Sequence, residues 1–448
     1  MLTPNQALDY ATDIVARATR LGADAADSVV VSSGSTEVSV RLGKVEDIQR
    51  SESGDLGLRV FVGSCSASAS TSDLSGAALD ALVERTVAMA RLAPEDPFAA
   101  LAPAERLATG PFDDFDGDDG LEIEPEALKL RALEAEDAAR AIEGVTNSEG
   151  GGASHGFGVT AIATSTGFGG ARGGSSHGVS ASVLAGEGAR MQRDYYSHST
   201  RHLGDLDAAS AIGAEAGRRA VARLDPIRLK SGAMTVVYAP RVASSLLGHL
   251  AGAITGGAVA RKTSFLIDSL GQSVFASGIS IVDDPWRARG MRSRAFDGEG
   301  LATKPVSLID DGVLTQWIAD VAAARQLGIE PTGHAWRGVS GAPGAGTSNL
   351  HMAAGRVSPA ALMTDIAGGF YITELIGMGV NGLTGDYSRG ASGFRIVNGE
   401  IAGPVAEVTI AGNLKDMFAA LIPADDLAFR YATNAPTVRI DGMTVAGA

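Results

Sequence analysis

The chain has 448 residues and a formal net charge of −15, with 52 acidic against 37 basic side chains. That charge disfavours binding to nucleic acid, because an acidic surface repels phosphate backbones. Cys65 is the only cysteine, which excludes an internal disulfide within the chain and fits a reducing compartment. No signal-peptide pattern opens the sequence, and no apolar stretch reaches the ~20 residues of a membrane-spanning helix. We therefore expect a cytoplasmic protein that does not bind membranes.

The first predicted elements are a helix, several short strands and a second helix. Thr3, Pro4 and Gln6 are typical of a helix start with a capping box, and helical spacing continues to Leu21. The period of the apolar residues then changes to two, which predicts strands. Five short strands are expected at residues 27–32, 36–42, 45–51, 56–62 and 64–70, followed by a helix over 74–92.

A proline-rich segment over 93–124 separates these elements from the next helix and contains the acidic run 113–120. This run does not match a calcium-binding EF-hand loop, because Asp119 and Pro125 stand where glycine and glutamate are required. We interpret it as a solvated acidic loop. A helix over 125–142, a strand-like stretch over 148–190 and a helix ending at Leu224 are predicted to follow.

The helices at 72–92 and 204–224 align without gaps, and seven of their 21 positions are identical. This similarity predicts a duplicated α/β unit. From Ser231 onward the pattern becomes β-rich with many glycines. We therefore predict an α+β protein, with a first α/β unit over 1–110, a related second unit over 111–225 and a β-rich antiparallel C-terminal domain over 226–448.

Standard catalytic motifs are mostly missing, including the phosphate loop, the nucleophile elbow and H-E-x-x-H. Residues 156–161 fit the dinucleotide pattern G-x-G-x-x-A, but outside the strand-to-helix turn that it requires. His155, His177 and His198 recur at spacings of 22 and 21, so on adjacent strands they could converge on a zinc ion. The alternative is that these histidines cap turns in a Gly/Ser-rich sheet.

Gly248, Gly252 and Gly256 repeat every four residues in a predicted helix over 243–260. Such a flat stripe costs helix stability, which predicts a compensating close contact with another backbone. His249 beside the stripe is interpreted as a structural histidine.

Two further polar segments contain candidate functional residues. Asp297 and Glu299 flank a glycine, which indicates a turn more than a pair of catalytic carboxylates. The segment from Asn381 to Ser388 is dense in polar residues. It either holds the backbone of a peptide or ligand, or it is a turn that satisfies its own hydrogen bonds.

Several strings of residues together resemble the TldD/PmbA family, and specifically its PmbA branch, also called TldE. The strings from Asn381 to Gly393 and from Gly412 to Met417 are the most specific. The resemblance covers nearly the whole chain and is strongest from 230 to 446. The strings that carry it are 260–266, 283–285, 296–300, 379–393 and 410–417.

The resemblance implies a cytosolic zinc protease of two related subunits, which cleaves unfolded or small peptides inside a closed chamber. The TldD-type subunit holds zinc through a His-Glu-x-x-x-His helix and a cysteine near its C terminus, and the PmbA/TldE-type subunit pairs with it. An older description, modulator of DNA gyrase, also attaches to the family, and the charge of −15 argues against direct DNA binding.

The zinc ligands of the family do not carry over to this sequence. If His249 were the first ligand, Leu250 would stand at the glutamate position and Ile254 at the second histidine. Apolar side chains neither bind zinc nor act as a general base. The C-terminal cysteine is also missing, since Cys65 lies in the other half of the chain.

We therefore expect a non-catalytic subunit, without a metal of its own, that pairs with a zinc-bearing TldD-type chain. One alternative is a metal-dependent peptidase with zinc at His155, His177 and His198, and another is a peptide-binding homodimer without protease activity. The residues expected to line the peptide or the partner are Arg261, Thr263, Ser264, Asn381, Thr384, Asp386 and Ser388.

Overall fold

One six-stranded antiparallel sheet runs through both predicted N-terminal units in the computed structural model, which describes residues 1–447. The helices of this part are α1 (Pro4–Arg20), α2 (Gly76–Leu92), α3 (Pro125–Arg140) and α4 (Ala209–Ala222). The strands are β1 (Ala25–Arg41), β2 (Lys44–Val62), β3 (Cys65–Thr71), β4 (Val145–Thr164), β5 (Gly169–Ala185) and β6 (Gln192–Thr200). The strand order is β3-β2-β1-β4-β5-β6, so each unit supplies three strands and two helices.

The prediction of five short strands in the first unit is wrong, because the structure has three strands there and two of them are long. Gly34 and Gly54 lie inside continuous ladders between β1 and β2, where pairing with a neighbour keeps the backbone extended. The predicted capping box of α1 is confirmed: the Thr3 hydroxyl accepts the Gln6 N–H at 3.3 Å, and the Gln6 side chain accepts the Thr3 N–H at 2.9 Å.

The helices all pack on one face of this sheet. Ile14 of α1 and Leu82 of α2 are buried against Val30 of β1 and Leu58 of β2, and α3 and α4 cover the remainder. Alternation in a strand places Val29 on the opposite, helix-free face, where it packs with the aromatic ring of Phe296 from the C-terminal domain. The N-terminal sheet is therefore sandwiched between its own helices and the C-terminal domain.

The C-terminal part is built around a small barrel. Its helices are α5 (Pro240–Ala253), α6 (Gly256–Ala260), α7 (Val321–Leu327), α8 (Pro359–Met363) and α9 (Leu414–Ala420). Its strands are β7 (Gly232–Tyr238), β8 (Ile281–Asp283), β9 (Val306–Asp310), β10 (Val313–Leu314), β11 (Ala335–Trp336), β12 (Gly344–Ala345), β13 (Leu350–Met352), β14 (Gly368–Ile376), β15 (Asp386–Val397), β16 (Glu400–Asn413), β17 (Ile422–Pro423), β18 (Thr433–Asn434) and β19 (Val438–Ala446).

The barrel strands follow the order β16-β15-β14-β7-β19, and pairing of β19 with β16 closes the ring. The α+β class is confirmed, although the domain is not wholly antiparallel, since β7 pairs with β14 and β13 with β18 in parallel. Five further strands form a second sheet, β10-β9-β8-β13-β18. Within residues 1–447, none of the helices is long and apolar enough to cross a membrane.

The predicted helix over 243–260 is interrupted, and its glycine stripe is not a packing face. Helix α5 ends at Ala253, and Gly256 begins the separate helix α6. A Cβ added at Gly248 or Gly252 would meet no atom within 4 Å, so these two glycines line an open surface. Only Gly256 makes the expected close approach, at 3.0 Å from the side chains of Ala319 and Ala323.

Candidate functional site

The polar loop predicted from Asn381 to Ser388 connects β14 to β15 at one end of the barrel. The Asn381 side chain accepts the N–H of Leu383 at 2.9 Å, and its backbone N–H donates to Asp386 O at 2.8 Å. The Ser388 N–H donates to Gly379 O at 2.7 Å. Residues 379–381 thus run antiparallel to the first residues of β15, next to the loop, and the Val380 N–H donates to Met378 O at 2.8 Å.

Asp386 is the exposed carboxylate of this loop. The Thr384 hydroxyl donates to it at 2.7 Å and the Asn413 amide at 3.1 Å. These two hydrogen bonds lower the pKa of Asp386, so the side chain is an anion at neutral pH. Most of the loop's own polar groups are satisfied, while the side chains of Asn381, Thr384, Asp386 and Ser388 stay exposed.

The second predicted segment, Arg261 to Ser264, lies directly beside this loop. The Phe265 N–H donates to Gly382 O at 2.9 Å, which joins the two segments. Arg261 and Thr263 are exposed, whereas Ser264 is buried and its hydroxyl donates to Ala253 O at 2.6 Å. The structure therefore brings the seven predicted residues to one end of the barrel, with Ser264 in a structural position that cannot reach a ligand.

Large apolar side chains border the same loop, and the sequence analysis missed them. Ile376, Met378 and Leu383 are 58%, 85% and 59% exposed. We call these three residues the apolar rim. Exposed apolar side chains that cluster in one place mark surfaces for binding a protein or peptide. The sequence did contain a signal for this surface: these apolar residues stand among glycines in a turn, outside any strand whose alternating pattern would bury them.

The residues at the family's zinc position do not fit a zinc ion. Leu250 of α5 and Ile254, which directly follows the helix, are fully buried in the hydrophobic core of the C-terminal domain, so the positions of the glutamate and the second histidine point inward. His249 is partly buried, and its ring packs edge-on against Tyr387 at 5.9 Å. Cys65 lies in β3 of the first unit. Across residues 1–447, no group of three His, Cys, Asp or Glu side chains is arranged to hold a metal ion.

The alternative zinc site at three histidines is not assembled either. His155 and His177 lie opposite each other on β4 and β5, and their rings stack at 4.9 Å. His198 on β6 instead contacts Asp207, with its ring nitrogen 3.5 Å from the carboxylate. Burial lowers the pKa of His177, which favours its neutral form despite the nearby carboxylate of Asp119.

The interpretation of the run 113–120 as a solvated loop is wrong for Asp119. Its carboxylate is 7% exposed and lies 2.8 Å from Nε2 of His177. It also accepts the Leu203 N–H at 2.9 Å, so the loop is fastened to the second unit. The dinucleotide-like residues 156–161 lie wholly inside strand β4, which removes the turn that such a motif requires.

Asp297 and Glu299 form the predicted turn, but the turn is buried. Asp297 accepts the N–H groups of Glu299 and Leu301 at 2.9 and 3.0 Å. Burial and the neighbouring Asp297 raise the pKa of Glu299 to about 8. Both carboxyl groups lie where the first unit meets the C-terminal domain, and Arg59 of β2 is 3.9 Å from Glu299.

The sequence matches family models and curated relatives along most of its length. Residues 26–90 match PmbA/TldA metallopeptidase domain 1, residues 118–224 the central domain and residues 231–447 the C-terminal domain. A protein named metalloprotease PmbA from Escherichia coli O157:H7 is 37% identical over 95% of this chain and 92% of its own. A metalloprotease PmbA homolog from Haemophilus influenzae is 34% identical over 99% and 96%.

Solved structures have the same fold. A putative modulator of DNA gyrase from Bacteroides thetaiotaomicron superimposes with a TM-score of 0.92 at 26% identity, covering 100% of both chains. TldE from Thermococcus kodakarensis gives a TM-score of 0.86 at 19% identity, covering 97% of this chain and 99% of its own. With the three matched domains and the close PmbA relatives, the chain belongs to the PmbA/TldD metallopeptidase family.

Proposed function

We propose that this chain is the subunit without catalytic zinc in a cytoplasmic two-subunit peptidase of the TldD/TldE type. The proposal rests on the orientation of α5, because Leu250 of this helix and Ile254 just after its end are both buried in the hydrophobic core of the C-terminal domain. In the resemblance described above, those positions hold the glutamate and the second histidine of the zinc motif. A chain with this helix depends on a TldD-type partner to supply zinc and a general base.

The contribution of this chain to the complex would be to line the chamber and hold an extended peptide. Residues 379–381 pair with β15 on one side, and a peptide strand would add along their other side through backbone hydrogen bonds, with the Val380 N–H released from its bond to Met378 O. The apolar rim supplies side-chain contacts next to that edge. Unfolded or small peptides suit such a site, because backbone pairing needs an extended substrate.

The test is to measure zinc content and peptidase activity of the purified chain, alone and after mixing with its TldD-type sister. We expect no bound zinc and no cleavage of an unfolded peptide by the chain alone, and cleavage on mixing. Stoichiometric zinc in the lone chain, with cleavage that a chelator abolishes, would contradict the proposal. A stable homodimer that binds peptide and ignores the sister chain would favour the peptide-binding homodimer instead.

The role of the predicted residues is tested in the mixed complex. We expect the double variant Asp386→Ala, Ser388→Ala to lower kcat/KM for peptide cleavage at least about tenfold, the scale of one lost charge-assisted hydrogen bond. The matched control is Asp9→Ala with Ser72→Ala, both exposed and far along the chain from the loop. Unchanged cleavage by the loop variant, with the complex intact by size-exclusion chromatography, would remove these residues from the site.

A further inference from the structure

A cavity of about 510 Å³ lies between the helix-free face of the N-terminal sheet and the segment 290–296 of the C-terminal domain. Arg172 of β5 enters it from the sheet, opposite Thr160 of β4. Glycines alternate with the arginine along this face: a Cβ at Gly170 would lie 2.9 Å from the Phe296 ring, and one at Gly174 would lie 2.8 Å from Gly117 O. Gly170 and Gly174 therefore allow Phe296 and the backbone at Gly117 to pack closely on either side of Arg172.

The guanidinium of Arg172 has no ion pair and no hydrogen bond with any residue from 1 to 447. Two further arginines line the same cavity without a carboxylate in contact. Arg201 donates to the backbone carbonyls of Ser175 and Met291, and Arg294 donates to Ala335 O at 3.0 Å. The Nε atoms of Arg201 and Arg294 are buried without a partner.

Arg292 also lines the cavity, so four arginines lie there, and none of them forms an ion pair with a carboxylate of residues 1–447. Burial, with the nearby charges of Arg294 and Arg201, lowers the pKa of Arg172 to about 10. The side chain still carries its charge at neutral pH, so the neighbouring cations repel it and its burial remains unfavourable. Buried charges in proteins are normally paired, and an oxyanion with two oxygens fits the guanidinium fork.

Other lining residues indicate what carries that oxyanion. Asp113 and Asp114 lie at the exposed mouth of the cavity, and Phe157 and Trp336 add aromatic walls. Trp336 is itself covered by the Arg294 guanidinium at 4.2 Å from the ring centroid. A ligand with an anionic group for the arginines, an apolar part for the aromatic walls and a cationic group for the aspartates would match this lining. A volume of 510 Å³ is within the ordinary range for small-ligand pockets.

We propose that this cavity binds a short peptide by its C-terminal carboxylate, with Arg172 as the main anchor. The choice of a peptide rests on the proposed peptidase function, while the anion site itself rests only on the arginines. A cleavage product or a short substrate would place its carboxylate on Arg172 and its ammonium group toward Asp113 and Asp114.

The experiment is isothermal titration calorimetry on the lone chain, which keeps it independent of zinc and of the partner. The probes are tri-alanine with a free carboxylate, tri-alanine amide and inorganic phosphate. The variants are Arg172→Gln, which removes the charge, Arg172→Lys, which keeps the charge without the fork, and Arg20→Gln. Arg20 is exposed at the end of α1 and serves as the matched control.

We expect tri-alanine to bind at least about tenfold more tightly than its amide, and Arg172→Gln to abolish that preference. Arg172→Lys should retain part of it, and Arg20→Gln all of it. Without ligand, Arg172→Gln should keep or raise the melting temperature, because it removes an unpaired buried charge. A melting temperature that falls, with tri-alanine binding unchanged, would overturn the site.

Two other outcomes also decide the question. Phosphate that binds more tightly than tri-alanine and competes with it would overturn the peptide as ligand. Equal affinity for tri-alanine and its amide, or no binding by either, would overturn the carboxylate anchor. Loss of cleavage in the two-subunit assay would leave these titrations unaffected, so failure of the proposed function and failure of this site are distinguishable.

Discussion

At the scale of single residues, the most unusual group is the buried carboxyl of Glu299. It accepts the Val321 N–H at 2.8 Å and lies 3.9 Å from Arg59, which is already paired with Asp27. Burial is the largest cause that raises the pKa of Glu299 to about 8, and the neighbouring Asp297 adds to it. The carboxyl is therefore protonated in the folded state at neutral pH, whereas it is ionised in the unfolded chain.

This difference predicts a pH-dependent stability. Between the unfolded pKa near 4.5 and the folded value of about 8, the folded state holds more protons, so its stability falls as pH rises through that window. The slope from this group is at most about 1.4 kcal/mol per pH unit. We expect Glu299→Gln to remove that slope, and to be more stable than the parent at pH 8 but not at pH 5.

Urea unfolding at pH 5, 6.5 and 8 measures this effect. Exposed Glu46→Gln is the control and should leave the pH dependence unchanged. Parallel pH profiles for Glu299→Gln and the parent would show that Glu299 is ionised in the folded protein.

At the scale of elements, the packing of α3 against α4 depends on two glycines. A Cβ at Gly213 would lie 1.9 Å from Ala135 O, and one at Gly217 would lie 2.7 Å from Ala139 O. Side chains at these positions would push the two helices apart. Gly213 and Gly217 thus let the backbones of α3 and α4 approach each other closely. Gly248 and Gly252 on α5 make no such contact.

The contrast between the two helices gives a prediction with opposite signs. We expect Gly213→Ala to destabilise the protein by about 1–3 kcal/mol, because the added methyl meets backbone that cannot move aside. Gly248→Ala on α5 has open space and should stabilise it by about 0.5–1 kcal/mol, through the better helix propensity of alanine. Chemical unfolding of both variants measures the difference, and a Gly213→Ala variant as stable as the parent would mean that α3 and α4 separate freely.

At the scale of the whole molecule, one buried carboxylate joins the N-terminal sheet to the C-terminal domain. Asp27 of β1 accepts from Arg59 of β2 at 2.9 Å and from Arg337 of the C-terminal domain at 3.0 Å. All three side chains are at most 5% exposed. Removing the shared anion would leave two buried cations without their counter-charge.

We expect Asp27→Asn to lower the free energy of unfolding by about 3–5 kcal/mol, the cost of breaking a buried ion pair. Calorimetry should show a lower melting temperature, with the N-terminal and C-terminal parts less tightly coupled. Asp47→Asn on the exposed half of β2 is the matched control, with a change within about 0.5 kcal/mol. A similar melting temperature for Asp27→Asn and the parent would mean that the two domains are joined by their apolar contacts alone.

Local sequence patterns predicted where helices and strands occur better than they predicted how long each one is. The capping residues Thr3 and Gln6 marked the start of α1, and the change of period marked the first sheet. Strand lengths depend on the partner strand, which alternation does not reveal, so β1 and β2 are longer than predicted. Barrel closure between β16 and β19 is a contact of distant segments and has no local signal.

The candidate site was predictable only where specific strings marked it. The structure brings Asn381, Asp386 and Arg261 to the same end of the barrel, and their role in lining a peptide or a partner stays a prediction. Arg172 was missed because an arginine in a Gly/Ser-rich strand has the same local pattern whether it faces open solvent or a cavity between two parts of the molecule. Only the packing of the C-terminal domain on the helix-free face distinguishes these cases.

The pairing of β1 with β4 also bears on how the chain can be divided. Each three-stranded unit ends at this ladder, which runs from Asp27 opposite Thr164 to Val40 opposite Gly151. A unit expressed alone would expose that long edge and its row of unpaired backbone groups, a template for self-association. The two units are thus arranged like the two subunits of a dimer, because the antiparallel β1–β4 ladder relates them by an approximate two-fold axis. Since both units belong to one chain, they cannot dissociate from each other.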